Sequence, residues 1–154
     1  MNRKTTVLYA SQMGAAAELG GRAADDLTEA GIETTDVDLS DYNLENLKSE
    51  QDVLIIASTW GEGEPPDDCL DFYEALTSQD PLGLSDLRFA TFALGDSSYE
   101  HFCKHGKDLD EHFERHGGRR MIERVDCDMD EQEQYPIWIE KVIKILKSNV
   151  LQEA

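Results

Sequence analysis

One buried segment that breaks into a loop rich in glycine and proline constrains the fold of this chain most. Val53 to Ala57 form a short apolar run, which is typical of a strand buried on both faces of a parallel sheet. The run breaks into Ser58 to Pro66, which reads STWGEGEPP. The carboxyl ends of strands form the ligand crevice in open α/β sheets, so Trp60 is placed to contact a flat ring. The alternative is a rigid turn that the tryptophan caps.

The composition indicates one acidic domain. The 154 residues suffice for a single core and are too few for two ordinary domains. They include 33 acidic and 14 basic residues, which gives a formal net charge of -19. Nucleic acid and anionic membranes need clustered Lys and Arg, so this charge argues against both as partners. It favours a partner with a basic surface, although general solubility would explain it equally well.

The cysteines and the apolar runs indicate the compartment. Cys69, Cys103 and Cys127 are odd in number and lack a CxxC pair, so we expect reduced thiols. The N-terminus has no signal-peptide pattern, and no apolar run approaches the roughly 20 residues of a membrane span. We therefore expect a cytoplasmic monomer without a membrane anchor.

Strand and helix patterns alternate along the chain. Strands are predicted at Thr5–Ala10, Ile32–Leu39, Val53–Ala57, Arg88–Leu94 and Met121–Val125. The first helix is predicted from the turn after Ala10 to about Ala30, with Gly31 as its cap. Further helices are predicted through Leu44 and Leu47, at Asp67–Ser78 and from about Phe102 to His116. The last helix is predicted from Pro136 onward, and the side chains expected to face inward are Ile137, Val142, Ile145 and Leu146. This order implies one domain over residues 1–154, a doubly wound parallel sheet of five strands with helices on both faces.

Three of these strands end in loops that suit one ligand. The first loop, Ser11 to Ala17, precedes a helix, whose N–H groups and dipole favour a phosphate. It lacks GxGxxG and the P-loop lysine, which argues against a dinucleotide or a nucleoside triphosphate. The other two loops offer Trp60 and Tyr99. Together they predict a site for a flat ring that carries a phosphorylated tail.

The loop sequences SQMGAAAE, STWGEGEPPDDCLDFYEAL and ALGDSSYEHFCKHGKDLDEHF resemble the three flavin-binding loops of the flavodoxin family. They are closest to the flavin mononucleotide (FMN) domains of diflavin reductases, especially the sulfite reductase flavoprotein. The resemblance covers nearly the whole chain and implies a flavodoxin-like fold with FMN as cofactor. The chain departs from the family pattern at Met13 and Ala15, where threonine is usual.

The resemblance also assigns site residues. The phosphate would be wrapped by Ser11, Gln12, Met13, Gly14, Ala15 and Ala16. One side of the isoalloxazine ring would be lined by Ser58, Thr59, Trp60, Gly61 and Gly63, and the other by Leu94, Gly95, Asp96, Tyr99, His101, Phe102 and Cys103. Trp60 would lie on the inner face of the ring and Tyr99 on the outer face. The Gly61 carbonyl would accept a hydrogen bond from a ring nitrogen, because glycine allows that peptide to turn over.

The implied function is electron transfer by an FMN-dependent carrier, rather than the activity of a stand-alone enzyme. An NAD(P)H-dependent flavoprotein reductase would be the donor. A haem or iron–sulfur enzyme with a basic face, such as a haem-thiolate monooxygenase, would be the acceptor. The acceptor would dock on acidic residues around the ring edge: Glu62, Glu64, Asp67, Asp68, Asp128 and Asp130. The alternative is that these carboxylates form an ordinary solvated surface.

Three alternatives remain open at this point. The chain ends where a diflavin reductase would continue into its pyridine-nucleotide half, so it could be the FMN domain of such a protein. It could be an FMN-dependent quinone or nitro reductase, although Tyr99 would then cover the ring face that such an enzyme needs open. It could also be a binding module that no longer holds flavin.

Four histidines are spaced along the predicted helix after Tyr99. They stand at positions 101, 105, 112 and 116. Histidines four residues apart can chelate a metal, but an exposed polar face is the simpler interpretation, and we assign no metal site. His101 is the exception because it adjoins the flavin loop.

Overall fold

The computed structural model describes residues 4–10, 15–58, 70–84, 86–95, 104–128 and 130–153. The strands in these ranges are β1 (Lys4–Ala10), β2 (Glu33–Asp38), β3 (Asp52–Ser58), β4 (Arg88–Gly95), β5 (Arg119–Arg120) and β6 (Val125–Asp128). The α-helices in the same ranges are α1 (Ala15–Glu29), α2 (Leu70–Ser78), α3 (Lys104–Arg115) and α4 (Glu131–Glu153). Two 3₁₀ helices, Leu39–Asp41 and Leu44–Ser49, connect β2 to β3.

All strand pairs are parallel, in the order β2-β1-β3-β4-β5, and β6 also pairs with β4. This is one of the two common orders of doubly wound sheets. It confirms the predicted architecture, including the half-exposed β2 at the sheet edge. Because every strand runs in the same direction, all the carboxyl ends lie along one edge of the sheet.

The predicted strand at Met121–Val125 is wrong. The fifth position of the sheet is shared by two short strands: β5 pairs with the start of β4, and β6 pairs with its end from Phe92 to Gly95. Residues 121–124, between them, are not in a strand. The sequence pattern identified the correct segment but not its interruption.

A buried carboxylate lies beside this interruption. Asp110 of α3 is 1% exposed, and its Oδ2 atom is 2.6 Å from Nη2 of Arg120 and 3.5 Å from Nη1 of Arg124. The hydroxyl of Thr91, in β4, donates a hydrogen bond of 2.9 Å to Oδ1 of Asp110. A buried charge is tolerated only when it is paired and hydrogen-bonded, so both arginines are held toward the helix at the two ends of the break.

Alternate residues of the central strands face two hydrophobic cores. On one face, Leu54 and Ile56 of β3 pack in the core that includes residues of α1 and α4. On the other face, Val53 and Ile55 pack in the core that includes residues of α2, α3 and the 3₁₀ helices. The period of two in a strand separates these two sets, so the apolar run seen in the sequence is buried on both sides.

Helix α1 ends as the sequence predicts. Gly31 has a φ of 85°, and the N–H of Ile32 donates to the carbonyl of Leu27 over 3.0 Å. The N–H of Gly31 donates to the carbonyl of Thr28, also over 3.0 Å. This is a Schellman cap, which requires a left-handed residue that glycine adopts without strain.

Helix α4 begins five residues earlier than predicted. Its first residue is Glu131, and the carbonyl of Asp130 accepts from the N–H of Gln134 over 3.0 Å. Pro136 therefore lies inside the helix rather than at its start. The predicted inward position of Ile137 is wrong, since this side chain is 54% exposed. Val142 and Leu146 are buried as predicted, and Tyr135, Trp138 and Ile139 are buried with them.

Helix α2 confirms the predicted segment from Leu70 to Ser78, and residues 67–69 of that prediction lie outside the described residues. Across the described ranges, none of the helices combines the length and the apolar composition that a membrane span requires.

Candidate functional site

The ends of four strands meet at the carboxyl edge of the sheet. Ala10 of β1 is in register with Ala57 of β3, and Ser58 of β3 is in register with Leu94 of β4. Gly95 of β4 is in register with Asp128 of β6. The segments 11–14, 59–69 and 96–103 therefore start from neighbouring points of this edge. The sequence prediction that these three loops share one side of the sheet agrees with this topology.

Most of the predicted ligand contacts fall within these three segments. The following predicted site residues lie outside the described residues: Ser11, Gln12, Met13, Gly14, Thr59, Trp60, Gly61, Gly63, Asp96, Tyr99, His101, Phe102 and Cys103. The same holds for four predicted docking residues: Glu62, Glu64, Asp67 and Asp68. What the structure describes is the frame from which these segments start and on which they end.

The predicted site residues within the frame are small or buried. Ala16, in the first turn of α1, is fully buried, and Leu94 is 6% exposed. Both side chains belong to the core that includes residues of α1 and α4. Gly95 is partly buried at the end of β4. Ala15 is the first residue of α1 and Ser58 the last of β3. The side chains of Ala16 and Leu94 thus support the edge from below.

The start of α1 suits the phosphate of the predicted ligand. The first N–H groups of an α-helix have no partner within the helix, and its dipole favours an anion there. Helix α1 packs very closely on β1, since a Cβ added at Gly20 would lie 2.6 Å from Cδ1 of Tyr9. This approach fixes the helix start directly after segment 11–14.

The start of α3 is anchored in the same way. A Cβ added at Gly106 would overlap with the Cβ of Ala93 and would lie 3.9 Å from the carbonyl oxygen of Ala57. Ala57 and Ala93 stand near the carboxyl ends of β3 and β4. Gly106 therefore lets the first turn of α3 sit against these strand ends, directly after segment 96–103.

The electrostatic environment of Tyr9, near the end of β1, is negative. The pKa of Tyr9 is raised by burial and, in decreasing order, by the carboxylates of Asp38, Asp36 and Asp41. These three carboxylates lie on β2 and on the 3₁₀ helix that follows it. Ionisation of a group to an anion close to these carboxylates is disfavoured, because like charges repel.

The two predicted docking residues within the frame differ. Asp128 is exposed at the end of β6. Asp130 directly precedes α4: its Oδ1 accepts the N–H of Asp128 over 2.9 Å, and its Oδ2 accepts from the side-chain amide of Gln134 over 3.0 Å. Both oxygens of Asp130 are thus engaged within the chain. Asp128 is the more exposed of the two, since Asp130 is half-buried.

The interpretation of the histidines as an exposed polar face is wrong for two of them. His105 is 1% exposed and His116 is fully buried, while His112 is half-buried. Leu109 and Phe113, on the same side of α3, are also buried. Their helical spacing from His105 and His116 is the signal that could have identified the buried face. His101 lies outside the described residues.

His116 joins α3 to the segment after α2. The N–H of Leu82 donates to Nδ1 of His116 over 3.0 Å, so the ring proton is on Nε2. Nε2 then donates to the carbonyl of Leu76 over 2.8 Å. This ring is a structural connection at the end of α3 that is away from the strand ends. Cys127 is a fully buried thiol, while Cys69 and Cys103 lie outside the described residues.

A family model described as Flavodoxin matches residues 7–137. The chain belongs to the flavodoxin family. The match includes all three segments that leave the carboxyl edge of the sheet. Membership confirms the resemblance that the loop sequences carry, and it supports FMN as the cofactor.

The relatives include longer proteins. The chain is 45% identical, over 144 residues, to the sulfite reductase [NADPH] flavoprotein alpha-component of Bacillus subtilis (strain 168). It is 42% identical, over 142 residues, to the protein of the same description from Neisseria meningitidis serogroup C. These matches cover 94% and 92% of this chain but 24% of each relative. The chain thus spans about a quarter of the length of these curated relatives.

Solved flavodoxins match over their full length. A point mutant of flavodoxin from Pseudomonas aeruginosa superimposes with a TM-score of 0.81 at 29% identity, covering 94% of this chain and 99% of that one. A flavodoxin from Streptococcus pneumoniae superimposes with a TM-score of 0.79 at 25% identity, covering 97% and 99%. The frame described above is therefore a flavodoxin fold.

The described residues fit FMN at this edge. The start of α1 offers its N–H groups to a terminal phosphate, and each of the three central strands ends in a small residue: Ala10, Ser58 and Gly95. Small strand ends leave room for a planar ring above the sheet. The family therefore supports FMN as the cofactor, and the described residues at this edge are compatible with it.

Proposed function

We propose that this domain is an FMN-dependent electron carrier. It takes electrons from an NAD(P)H-dependent flavoprotein reductase and passes them to a haem or iron–sulfur enzyme. The observation that carries this proposal is the frame itself, in which three loop-bearing strand ends and a helix start surround one edge of a flavodoxin sheet.

When bound, FMN supplies the redox chemistry, and the protein supplies its orientation and electrostatics. Residues 11–16 would hold the phosphate at the start of α1. Trp60 and Tyr99 would cover the two ring faces and exclude water from them. The Gly61 carbonyl would accept a hydrogen bond from a ring nitrogen, because the absence of a side chain allows that peptide to turn.

The acidic surface selects the partner. The net charge of -19 attracts a basic protein from a distance, and local carboxylates decide which face it meets. In this proposal the docking face consists of the acidic residues of segment 59–69 and Asp128, which is exposed at the same edge. Asp130 contributes less, because both of its carboxylate oxygens bind groups within the chain. A haem-thiolate monooxygenase with a basic proximal face is one acceptor of this kind.

A second candidate function follows from the relatives. The strong similarity to a quarter of the sulfite reductase [NADPH] flavoprotein alpha-component favours a role as the FMN domain of a flavoprotein of that kind. Electrons would then come from an NADPH-dependent flavin domain and pass to a sulfite-reducing subunit. The coding sequence on either side of this chain in its genome separates this role from that of an independent carrier.

Reconstitution tests the proposed function. The protein loaded with FMN is mixed with NADPH, first alone and then with a separate flavoprotein reductase and cytochrome c, a haem protein with a basic face. The proposal predicts slow NADPH oxidation alone and rapid haem reduction only when both proteins are present. Rapid oxidation of NADPH with a quinone or a nitro compound, without the reductase, would instead identify an enzyme that takes hydride directly.

A further inference from the structure

One carboxylate oxygen joins α2 to α3 near the proposed flavin site. Oδ2 of Asp108, in α3, accepts a hydrogen bond of 3.0 Å from the hydroxyl of Tyr73, in α2. The same oxygen is 2.7 Å from Nζ of Lys104, the first residue of α3. We call these three residues the clasp.

The clasp is held in one geometry by its surroundings. The ring of Tyr73 contacts the ring of His105 edge-on, with centroids 5.7 Å apart and planes at 63°. His105 is 1% exposed, and Gly106 packs directly on Ala93 of β4. The Asp108 hydrogen bond therefore forms between a tyrosine whose ring is fixed and a helix that is seated on the sheet.

Both donors keep their protons at neutral pH. The pKa of Tyr73 is raised by burial and by its hydrogen bond to Asp108. The pKa of Lys104 is raised, mainly by its own hydrogen bond to Asp108. The clasp is thus a stable pairing of two donors with one carboxylate over the range in which flavoproteins work.

The position of the clasp in the chain is what gives it a role. Helix α2 begins directly after segment 59–69, and helix α3 begins directly after segment 96–103. Lys104 immediately follows the second segment, and Tyr73 stands four residues after the end of the first. The clasp therefore connects the far ends of the two segments that line opposite sides of the flavin ring in the proposed function.

The helix pair does not need the clasp in order to stay together. At the other end of α3, Nη2 of Arg115 donates to the carbonyls of Leu76 and Gln79 over 2.9 and 3.1 Å. The ring of His116 binds the Leu76 carbonyl as well. These contacts hold α2 against α3 at the C-terminal ends of the two helices. The clasp adds a second connection nearer their N-terminal ends, which directly follow segments 59–69 and 96–103.

We propose that Asp108 is a positioning residue for the cofactor site: by binding Tyr73 and Lys104 together, it sets the spacing between the starts of α2 and α3, where the two segments that would flank the flavin ring in the proposed function end. The inference deepens the proposed function and rests on it for the identity of the ligand. It assigns to Asp108 and Tyr73 an effect on FMN affinity that acts through segments 59–69 and 96–103 and not through contact with FMN.

The test compares variants at the two ends of the same helix pair. Tyr73→Phe removes one hydroxyl and keeps the ring contact with His105. Asp108→Ala removes the acceptor, and Asp108→Asn keeps one acceptor oxygen as the conservative variant. Arg115→Met, at the other end, is the matched control. For each protein we would measure the urea stability, the FMN dissociation constant and the backbone hydrogen exchange of segments 59–69 and 96–103 in the apoprotein.

The proposal predicts faster exchange in both segments for Tyr73→Phe and Asp108→Ala. It also predicts FMN dissociation constants raised by about two- to tenfold, the factor that one net hydrogen bond supplies. The segment exchange rates and the FMN dissociation constant of Asp108→Asn should lie between those of the wild type and those of Asp108→Ala. Arg115→Met should lower the urea stability and leave the exchange of both segments and the FMN affinity at their wild-type values.

A clasp that only stabilises the fold would give a different pattern. All the variants would then lower the urea stability, with no difference in segment exchange or in FMN affinity between the two ends of α3, and the proposal would be overturned. If the wild-type protein binds no FMN, the proposed function fails. The exchange data alone then decide whether the clasp positions the two segments, and unchanged exchange in Tyr73→Phe and Asp108→Ala overturns it.

Discussion

Gly106 of α3 and Ala93 of β4 are packed so closely that the helix residue has no room for a side chain. This contact determines how near the start of α3 lies to the carboxyl ends of β3 and β4. Segment 96–103 ends at that helix start, so the distance between its two ends depends on this one helix–sheet contact. The glycine is thus required by the contact between α3 and the sheet, and not by the helix itself.

Replacing Gly106 with alanine should therefore weaken both the fold and the site. The added methyl group would push α3 away from β4, and overpacking of this kind costs about 1–3 kcal/mol in the free energy of unfolding. FMN affinity should fall with it. Gly21→Ala is the matched control: a Cβ at this α1 position meets nothing within 4 Å, so the change should stabilise the protein by about 1 kcal/mol. Urea denaturation measures the free energy of unfolding of both variants, which should change in opposite directions. If both substitutions stabilised the protein, the proposed close contact between Gly106 and Ala93 would be contradicted.

A second prediction concerns the buried ion pair at the other edge of the sheet. Asp52 and Arg88 are in register at the start of β3 and β4, joined by hydrogen bonds of 2.8 and 3.0 Å. Their side chains are 1% and 8% exposed. Arg88→Met leaves the carboxylate buried without its guanidinium, which should cost about 3–5 kcal/mol of unfolding free energy.

The double variant tests whether the pair acts as a unit. Asp52→Leu combined with Arg88→Met removes both charges, so it should recover most of the loss seen in Arg88→Met. The free energies of unfolding of the single and double variants, from urea titrations, provide the measurement. Additive losses would show that the two side chains stabilise the sheet independently.

A third prediction is a loss of stability in alkali. Burial raises the pKa of Tyr42 and of Tyr135, and their hydrogen bonds to Glu50 and Asp26 raise it further. In the unfolded chain these phenols titrate at about pH 10. Above that pH the unfolded state loses protons that the folded state keeps, so unfolding becomes easier as the pH rises. Below about pH 10 the stability that these two protonated phenols contribute is fully present.

Phenolate absorbance measures this directly. The two phenols should stay protonated above pH 10 while the protein is folded, and ionise as it unfolds. Tyr135→Phe should flatten the fall of urea stability with pH, at the cost of the hydrogen bond to Asp26. Rapid ionisation of both phenols in the folded protein would show that these side chains are accessible.

A fourth prediction concerns the docking face. Glu64→Lys and Asp128→Lys should each slow association with a basic acceptor several-fold and leave the flavin spectrum unchanged. The effect should shrink as salt is added, because the screening length is only about 8 Å at about 0.15 M. Stopped-flow electron transfer from the reduced protein measures the association.

Asp25→Lys and Glu29→Lys are the charge-matched controls. Both positions are exposed on α1, in the half of the helix that lies away from its start. They change the net charge by the same amount and should affect the rate less. Equal slowing by all four reversals would mean that the acidity is a general property of the surface.

The elements that the sequence predicts well are those whose signal is local. The apolar run of β3 and the glycine cap of α1 depend on residues next to one another, so the pattern located both. The parallel order followed from the alternation of strands and helices. The convergence of the three loops then followed from the order, because parallel strands end at one edge.

The errors have two sources: contacts between residues that are distant in sequence, and an incorrect assignment of which helix residues face the core. The break in the fifth strand faces Asp110 and Thr91, which precede it by 10 or more residues, and no local pattern shows that carboxylate. In α4, the pattern places the helix start at Pro136, because proline favours the first helical position. The helical spacing of Trp138, Val142 and Leu146 would have placed Ile137 outside the buried face.

Flavin binding by the apoprotein tests the central claim most directly. The purified chain, stripped of any bound pigment, is titrated with FMN and separately with FAD while flavin fluorescence is followed. A phosphate site at the start of α1, built for a terminal monophosphate, predicts saturable binding of one FMN and far weaker binding of FAD. Preference for FAD, or no binding of either flavin, would contradict both the cofactor assignment and the electron-carrier function.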